Sequence, residues 1–237
     1  MAYKQINISS GHSINCQGAS GYINEVTEAR KVVDRVYEMC KAVGIEVYKY
    51  HDTASSSSQN LANIVNFHNR FKDGIDVSIH FNAYQTTNNP MGVEVCYYSQ
   101  SSLASSVSSA IAQAGGFKNR GAKERTGLYF LKHTSKPSIL IEVCFCDSKA
   151  DVDLYHKNFD AICASIVKAL TGAVYNAPKP QHAPAPAKPT TKVMYRVVTG
   201  SYASRENAEA QVKKLKDAGF DSFITTTNNR SNSLDQF

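Results

Sequence analysis

No CxxC pair, no HExxH and no apolar run of about 18 residues occurs anywhere in the chain. The six cysteines lie at positions 16, 40, 96, 144, 146 and 163, and only Cys144 and Cys146, flanking Phe145, are close in sequence. Those two would share one strand face, but no second close pair exists to complete a cysteine-rich zinc site. Cys40, Cys96 and Cys163 sit inside apolar patterns and read as small buried hydrophobes, and the cysteines as a set read as reduced thiols. The lack of a long apolar run excludes a transmembrane helix, so membrane insertion is not expected. Met1-Ala2-Tyr3-Lys4-Gln5 enters a strand-like run without the apolar core of a signal peptide, so synthesis in a cytoplasm without a secretory signal is the expectation. No basic run is interleaved with aromatics, and the formal charge of +6 is dispersed, which argues against nucleic acid as a partner.

What is present is ordinary globular composition: 237 residues, 42% hydrophobic and 19% charged. That length allows one medium domain and a small second one. Short β-branched runs alternate with helical patterns up to about residue 172, which predicts an α/β fold with an open, mostly parallel sheet flanked by helices. Strands are expected at Gln5–Ser9, Ile45–Tyr50, Ile75–His80, Gly92–Tyr98 and Ser138–Val143. Helices are expected at Glu25–Val43, closed by Gly44, and at Leu61–Phe71, Ser101–Ala114 and Phe159–Leu170. From residue 173 to 192 the chain turns Pro/Ala-rich, the composition of a semi-rigid spacer. Residues 193–237 then read as one β-α-β unit: Val193–Thr199, a helix Ser204–Ala218 stopped by Gly219, and Asp221–Thr226.

Four stretches carry the chemistry. Gly11-His12-Ser13 follows the first strand, His80 ends the third, Glu25 opens the first helix, and Glu142 interrupts the wholly apolar run Ile139-Leu140-Ile141 before Val143. Open α/β sheets bind ligands at the carboxyl edge of their strands, where these residues converge. Two imidazoles and a carboxylate make three corners of a zinc site and leave a fourth for water. A carboxylate within an apolar strand costs several kcal/mol unless it is paired or protonated, and a raised pKa suits a general base. The mechanism this predicts is water attack on a zinc-polarised amide carbonyl, with Glu142 taking and later donating the proton. Blander readings exist for each residue. A strand-end histidine is often structural, Glu25 is also a helix-start carboxylate with Glu28 as its rival ligand, and Glu142 has Arg120 as a potential ion-pair partner. Among the other histidines, His51, His68, His133, His156 and His182 read as structural or solvated, with His133 expected nearest the site.

In chain order, His12, Glu25, His80 and Glu142, the four stretches resemble the zinc-dependent N-acetylmuramoyl-L-alanine amidases, the family of phage endolysins and bacterial autolysins, over roughly residues 4–172. The resemblance implies a peptidoglycan hydrolase whose zinc ligands are His12, Glu25 and His80 and whose catalytic glutamate is Glu142. The Asn24-Glu25 pair after Gly21-Tyr22-Ile23 favours Glu25 over Glu28. Asn119-Arg120-Gly121-Ala122-Lys123 is similar to a segment beside the substrate cleft of phage members, so Arg120, with Asn82, is expected to bind substrate. Ser9-Ser10-Gly11-His12-Ser13-Ile14 and Glu142-Val143-Cys144-Phe145 stand where many members have Asp-Pro-Gly-His-Gly-Gly and Glu-Thr-Gly-Phe. The ligands survive both changes, and any effect is expected on substrate preference. Tyr195-Arg196-Val197-Val198-Thr199-Gly200-Ser201-Tyr202 and the following helix resemble half of a sporulation-related repeat (SPOR) domain, a family that binds peptidoglycan glycan strands. A lone half of about 40 residues buries little apolar surface, so self-association through this segment is one expectation. Action at the cell wall would follow release by a holin or by mother-cell lysis. A zinc exopeptidase acting on wall peptides and a non-catalytic wall-binding protein are the competing readings.

Overall fold

A computed structural model describes residues 2–176 and 200–225. The chain divides into two units, Met1–Lys179 and Pro180–Phe237. The first unit is built on a six-stranded sheet: β1 (Gln5–Ser10), β2 (Glu46–Tyr50), β3 (Ile75–Asn82), β4 (Val93–Tyr97), β5 (Asn119–Glu124) and β6 (Ser138–Phe145). The strand order is β2-β1-β3-β6-β4-β5, and every pairing is parallel except the antiparallel contact of β4 with β6. The helices are α1 (Glu25–Ala42), α2 (Ser57–His68), α3 (Ser101–Gly115), α4 (Tyr129–His133) and α5 (Lys149–Thr171). No helix among the described residues is long and apolar enough to cross a membrane.

Side chains alternate along each strand, and the two faces of the sheet diverge accordingly. Ile6, Ile8, Val77, Ile79, Phe81, Val93, Val95, Ile139, Ile141 and Val143 form the main core with the apolar stripes of α1, α3 and α5. On α1 that stripe is Ala29, Val32, Val33, Val36, Met39 and Cys40, and Gly44 after the helix takes the left-handed backbone that ends it (φ +74°). A smaller core of Ile64, Phe130, Leu131, Leu140 and Cys96 joins α2 and α4 to the opposite strand positions. Beside it lies a polar cluster: His68 Nε2 meets Ser9 Oγ at 2.9 Å, His68 Nδ1 lies 3.1 Å from Asp76, and Lys136 pairs with the same carboxylate at 3.1 Å. This cluster ties α2 to β1 and β3 beneath the strand ends that bear His12 and His80. Burial holds the His68 pKa below its ordinary value, against the pull of Asp76.

Three expectations need correction. The polar Asn119–Glu124 segment forms the edge strand β5 although its sequence lacks apolar alternation, because only Ala122 packs against the core. The last helix begins at Lys149, not Phe159: it is capped by Ser148 and bends at Asn158, which breaks the regular spacing of its apolar residues. α2 starts a turn before Leu61, where the Ser56 side chain accepts from Gln59 N–H, and ends at His68.

In the second unit, α6 (Arg205–Asp217) matches the helix read from sequence, and Gly219 follows it with φ +86°. Residues 221–225 form no strand, contrary to expectation. Val193–Thr199, most of the Pro/Ala-rich stretch and His182 lie outside the described residues.

Candidate metal centre

β1 and β3 are adjacent and parallel, so their carboxyl ends emerge side by side. Gly11 N–H donates to Ile79 C=O at 2.9 Å, holding the turn after β1 against β3, and His12 follows from that turn. His80 stands on β3 two residues before the strand ends. Glu25 reaches the same place from the first residue of α1, whose N-cap Asn24 accepts from Thr27 N–H at 3.0 Å. One carboxylate oxygen, Oε1, lies 3.0 Å from His80 Nδ1 and 3.4 Å from His12 Nε2, and the two imidazole rings stand edge-on at 4.9 Å. The potential ligand atoms of these three residues all fall within 4.8 Å of one another, the one such metal-capable group found among the described residues.

The backbone secures Glu25 independently of any ion. Oε1 accepts from Phe81 N–H at 3.1 Å and Oε2 from Ala19 N–H at 2.6 Å. Burial pushes the Glu25 carboxyl up, but hydrogen bonds from His12 and His80 outweigh it and hold the pKa far below the usual carboxylate range. His80 shifts upward: its burial opposes the charge, while Glu25 and Glu142 favour it. Two imidazole nitrogens facing a buried, ionised carboxylate oxygen are a donor set suited to zinc.

Close approach of the backbone makes this packing possible. A Cβ on Gly11 would overlap the His80 ring, and one on Gly18 would overlap both Glu25 Oε2 and the His12 ring. Because Ala19 N–H pins Oε2, the carboxylate has no easy retreat from a methyl at position 18. Gly18→Ala is therefore expected to weaken the affinity of this group for a divalent cation by about 10-fold or more, measured with zinc as the probe by competition with a chelator of known affinity. Undiminished affinity would show that the 16–20 loop yields.

Glu142 lies beside the group. It is the register partner of His80 across β3 and β6, so both side chains project from the same face. Its Oε2 is buried and has no hydrogen-bond partner among the described residues. Burial raises its pKa to about 7; His80 opposes the shift, while Glu25 and Glu94 reinforce it. A half-protonated carboxyl next to a potential metal site can both accept and donate a proton near neutrality.

The other candidates fall into place around this centre. Glu28, the rival to Glu25, faces away: it pairs with Lys31 at 2.8 Å and accepts from Tyr155 O–H at 3.0 Å. Arg120 does not pair with Glu142; its Nε donates to Glu94 Oε2 at 2.7 Å. Asn82 Nδ2 donates to Glu94 Oε1 at 3.2 Å, so both residues expected to bind substrate meet on a carboxylate that sequence reasoning passed over. Glu94 carried the same signal as Glu142, an acid between Val93 and Val95 in a short apolar strand. His133 is not part of the centre and stacks on Tyr129 at the end of α4. His51 bridges Ser10 and Asp34, and His156 lies against Tyr155. All six cysteines are free thiols; Cys144 and Cys146 are fully buried and outside the metal-capable group.

Comparison with known proteins adds the lineage. A family model described as N-acetylmuramoyl-L-alanine amidase matches residues 6–172. The chain belongs to the N-acetylmuramoyl-L-alanine amidase family. A SPOR domain model matches residues 167–226, overlapping the end of the amidase domain. Among solved structures, the catalytic domain of the CD27L endolysin targeting Clostridia difficile is 26% identical with a TM-score of 0.64, over 73% of this chain and 99% of that one. An N-acetylmuramoyl-L-alanine amidase from Clostridium difficile 630 is 25% identical with a TM-score of 0.58, over 71% and 94%. An uncharacterised 38.4 kDa protein of Clostridium perfringens is 33% identical over 176 residues, 72% of this chain and 52% of the relative. The chain thus spans about half the length of the curated relatives it matches.

Proposed function

We propose that the amidase domain hydrolyses the amide bond between the lactyl group of N-acetylmuramic acid and L-alanine in peptidoglycan, with zinc held by His12, Glu25 and His80. The observation that carries this reading is the two-histidine, one-carboxylate cluster beside the orphaned, buried oxygen of Glu142. Zinc, when bound, supplies Lewis-acid polarisation of a carbonyl and acidification of water. The chain's own residues supply the rest. Glu142 takes the proton of the attacking water and returns it to the nitrogen of the departing L-alanine as the amide C–N bond breaks. Glu25 is held ionised and aimed by Ala19 N–H and Phe81 N–H, so the ligand set needs little reorganisation to receive a cation.

Digestion of purified wall, with and without chelator, tests the reaction. New L-alanine amino groups without new reducing sugars, lost on chelation and restored by zinc, are expected. Amino acids released from peptide ends would favour an exopeptidase instead, and an absence of products would leave a binding protein.

The SPOR-like segment serves, in this reading, to hold the enzyme on glycan strands. Tyr175 packs against the amidase core under Arg35, so the domain ends beyond it. A chain cut after Lys179 is expected to retain zinc and turnover on a soluble muropeptide but to bind intact wall about 10-fold more weakly or worse, read by pull-down with sacculi. Equal pull-down of the two forms would remove the targeting role. Self-association of the segment is supported by no contact among the described residues, and residues 221–225, expected to supply one of its strands, form none.

A further inference from the structure

The acidic row of the sheet does not stop at Glu142. Glu94 on β4 is the register partner of Glu142 across the antiparallel β4–β6 pairing, so His80, Glu142 and Glu94 stand side by side on three consecutive strands. Glu94 is buried, with 7% of its side chain exposed. Two carboxylates in adjacent register repel one another, and a buried one needs a counter-charge. The fold supplies it through an irregularity. Val93 pairs with Asn119 and Glu94 with Gly121, which leaves Arg120 as the extra residue of a β-bulge. Gly121 takes φ +78°, a backbone region open to glycine, and the bulge re-aims the Arg120 side chain at Glu94.

The resulting contact is asymmetric. Arg120 spends only its Nε on Glu94, at 2.7 Å, and lays its guanidinium 4.9 Å from the Phe145 ring centroid. Both terminal nitrogens, Nη1 and Nη2, have no acceptor among the described residues. About 30% of the side chain is exposed, although Glu94 beneath it is not. Asn82, two residues beyond His80, bonds the other Glu94 oxygen at 3.2 Å. Both oxygens of Glu94 are therefore occupied by groups that border the reaction site. The two free Nη donors form a fork whose shape matches a carboxylate.

We propose that Glu94 is a positioning residue that fixes the Arg120 fork to receive a free carboxylate of the stem peptide close to the scissile amide, so that this site discriminates a carboxylate from a carboxamide. The proposal rests on the amidase reading above. Asn82 shares the same anchor and borders the fork on the β3 side. The stacking on Phe145 restricts the guanidinium plane, so the fork is held from two directions before a substrate arrives.

The test uses the full-length zinc-loaded protein and two soluble muropeptides, identical except that the carboxylate nearest the scissile amide is free in one and a primary carboxamide in the other. The wild-type protein is expected to favour the free acid by about 10-fold or more in kcat/KM, chiefly through KM. Arg120→Gln and Glu94→Gln are each expected to bring the ratio of the two substrates close to 1, with zinc content kept at one ion per chain. Arg120→Lys, which keeps the charge without the fork, should recover only part of the preference. Equal wild-type kcat/KM for the two substrates would overturn the carboxylate site while leaving the amidase reading intact. A wild-type ratio retained in Glu94→Gln would overturn the positioning role. Failure of the wild-type protein to cleave either muropeptide would instead remove the amidase reading itself.

Discussion

Glu142→Gln is expected to lower turnover on a soluble muropeptide by about 100-fold or more while the protein keeps its zinc and its fold. The fold should survive because the change relieves a strain of electrostatics. Glu142 sits between Ile141 and Val143 on a central strand, with one oxygen buried and unpartnered. Burial raises its pKa from 4.5 to about 7, so the folded protein binds a proton there that the unfolded chain releases. In the metal-free protein this group's favourable contribution is present below about pH 4.5 and is lost as pH rises through 7, and Gln removes that dependence. Activity runs the other way, because only the ionised carboxylate can accept a proton. A nearby cation stabilises the anion, so the acidic limb of kcat/KM is expected between pH 4.5 and pH 7 and should vanish with the Gln variant's residual rate. Loss of zinc from Glu142→Gln would place Glu142 among the ligands and overturn its role as base.

His12→Ala is expected to lose zinc to below about a tenth of an ion per chain, and turnover with it, since one of three protein ligands is gone. This position gives a cleaner test than Glu25. Glu25 also satisfies two backbone N–H groups, so its removal would disturb the 16–20 loop and the end of β3. His12 contributes only to the cluster, its Nε2 lying 3.4 Å from Glu25 and its ring edge-on to His80. The turn that carries it is held separately by Ser13 Oγ donating to Ala54 C=O at 2.5 Å and Asn15 Nδ2 donating to Thr53 C=O at 2.9 Å. Elemental analysis of the purified variant decides the matter. A full zinc complement would remove His12 from the ligand set.

The parallel centre of the fold was legible because its strands are rich in β-branched residues: Ile6 and Ile8 in β1, Ile75, Val77 and Ile79 in β3, and Ile139, Ile141 and Val143 in β6. Ser138–Val143 is nearly continuous in apolar residues, whereas Ile75–His80 alternates Ile75, Val77 and Ile79 with the polar but buried Asp76 and Ser78; each strand continues two residues further than its pattern predicts. His80 and Glu142 stand out because one ends and the other interrupts a strand pattern, whereas Glu25, at the start of a helix, carries no such mark. Arg120 was visible only as part of a polar segment, since an edge strand with one packed side chain carries no alternation to announce it. Its partner Glu94 had the required signal, but the antiparallel insertion of β4 beside β6 is a tertiary choice with no local mark. Without that placement nothing in the sequence brings Glu94 next to Glu142. The first half of α5 was hidden by the break at Asn158, whose side chain leaves the helix pattern to donate to Gly115 C=O at 3.0 Å. Glu28 and Glu25 are both buried; beside the resemblance of the Asn24-Glu25 pair, the tertiary partners distinguish them, Lys31 and Tyr155 on one side and the histidines on the other.

The most direct test is a crystal structure of the zinc-loaded protein with diffraction recorded on both sides of the zinc absorption edge. The account predicts a single strong anomalous peak bonded to His12, Glu25 and His80, with Glu142 near the ion but outside its protein ligands. A peak coordinated by cysteine sulfur, a peak bonded to Glu142 in place of one of the three, or no peak between β1 and β3 at full zinc loading would contradict it.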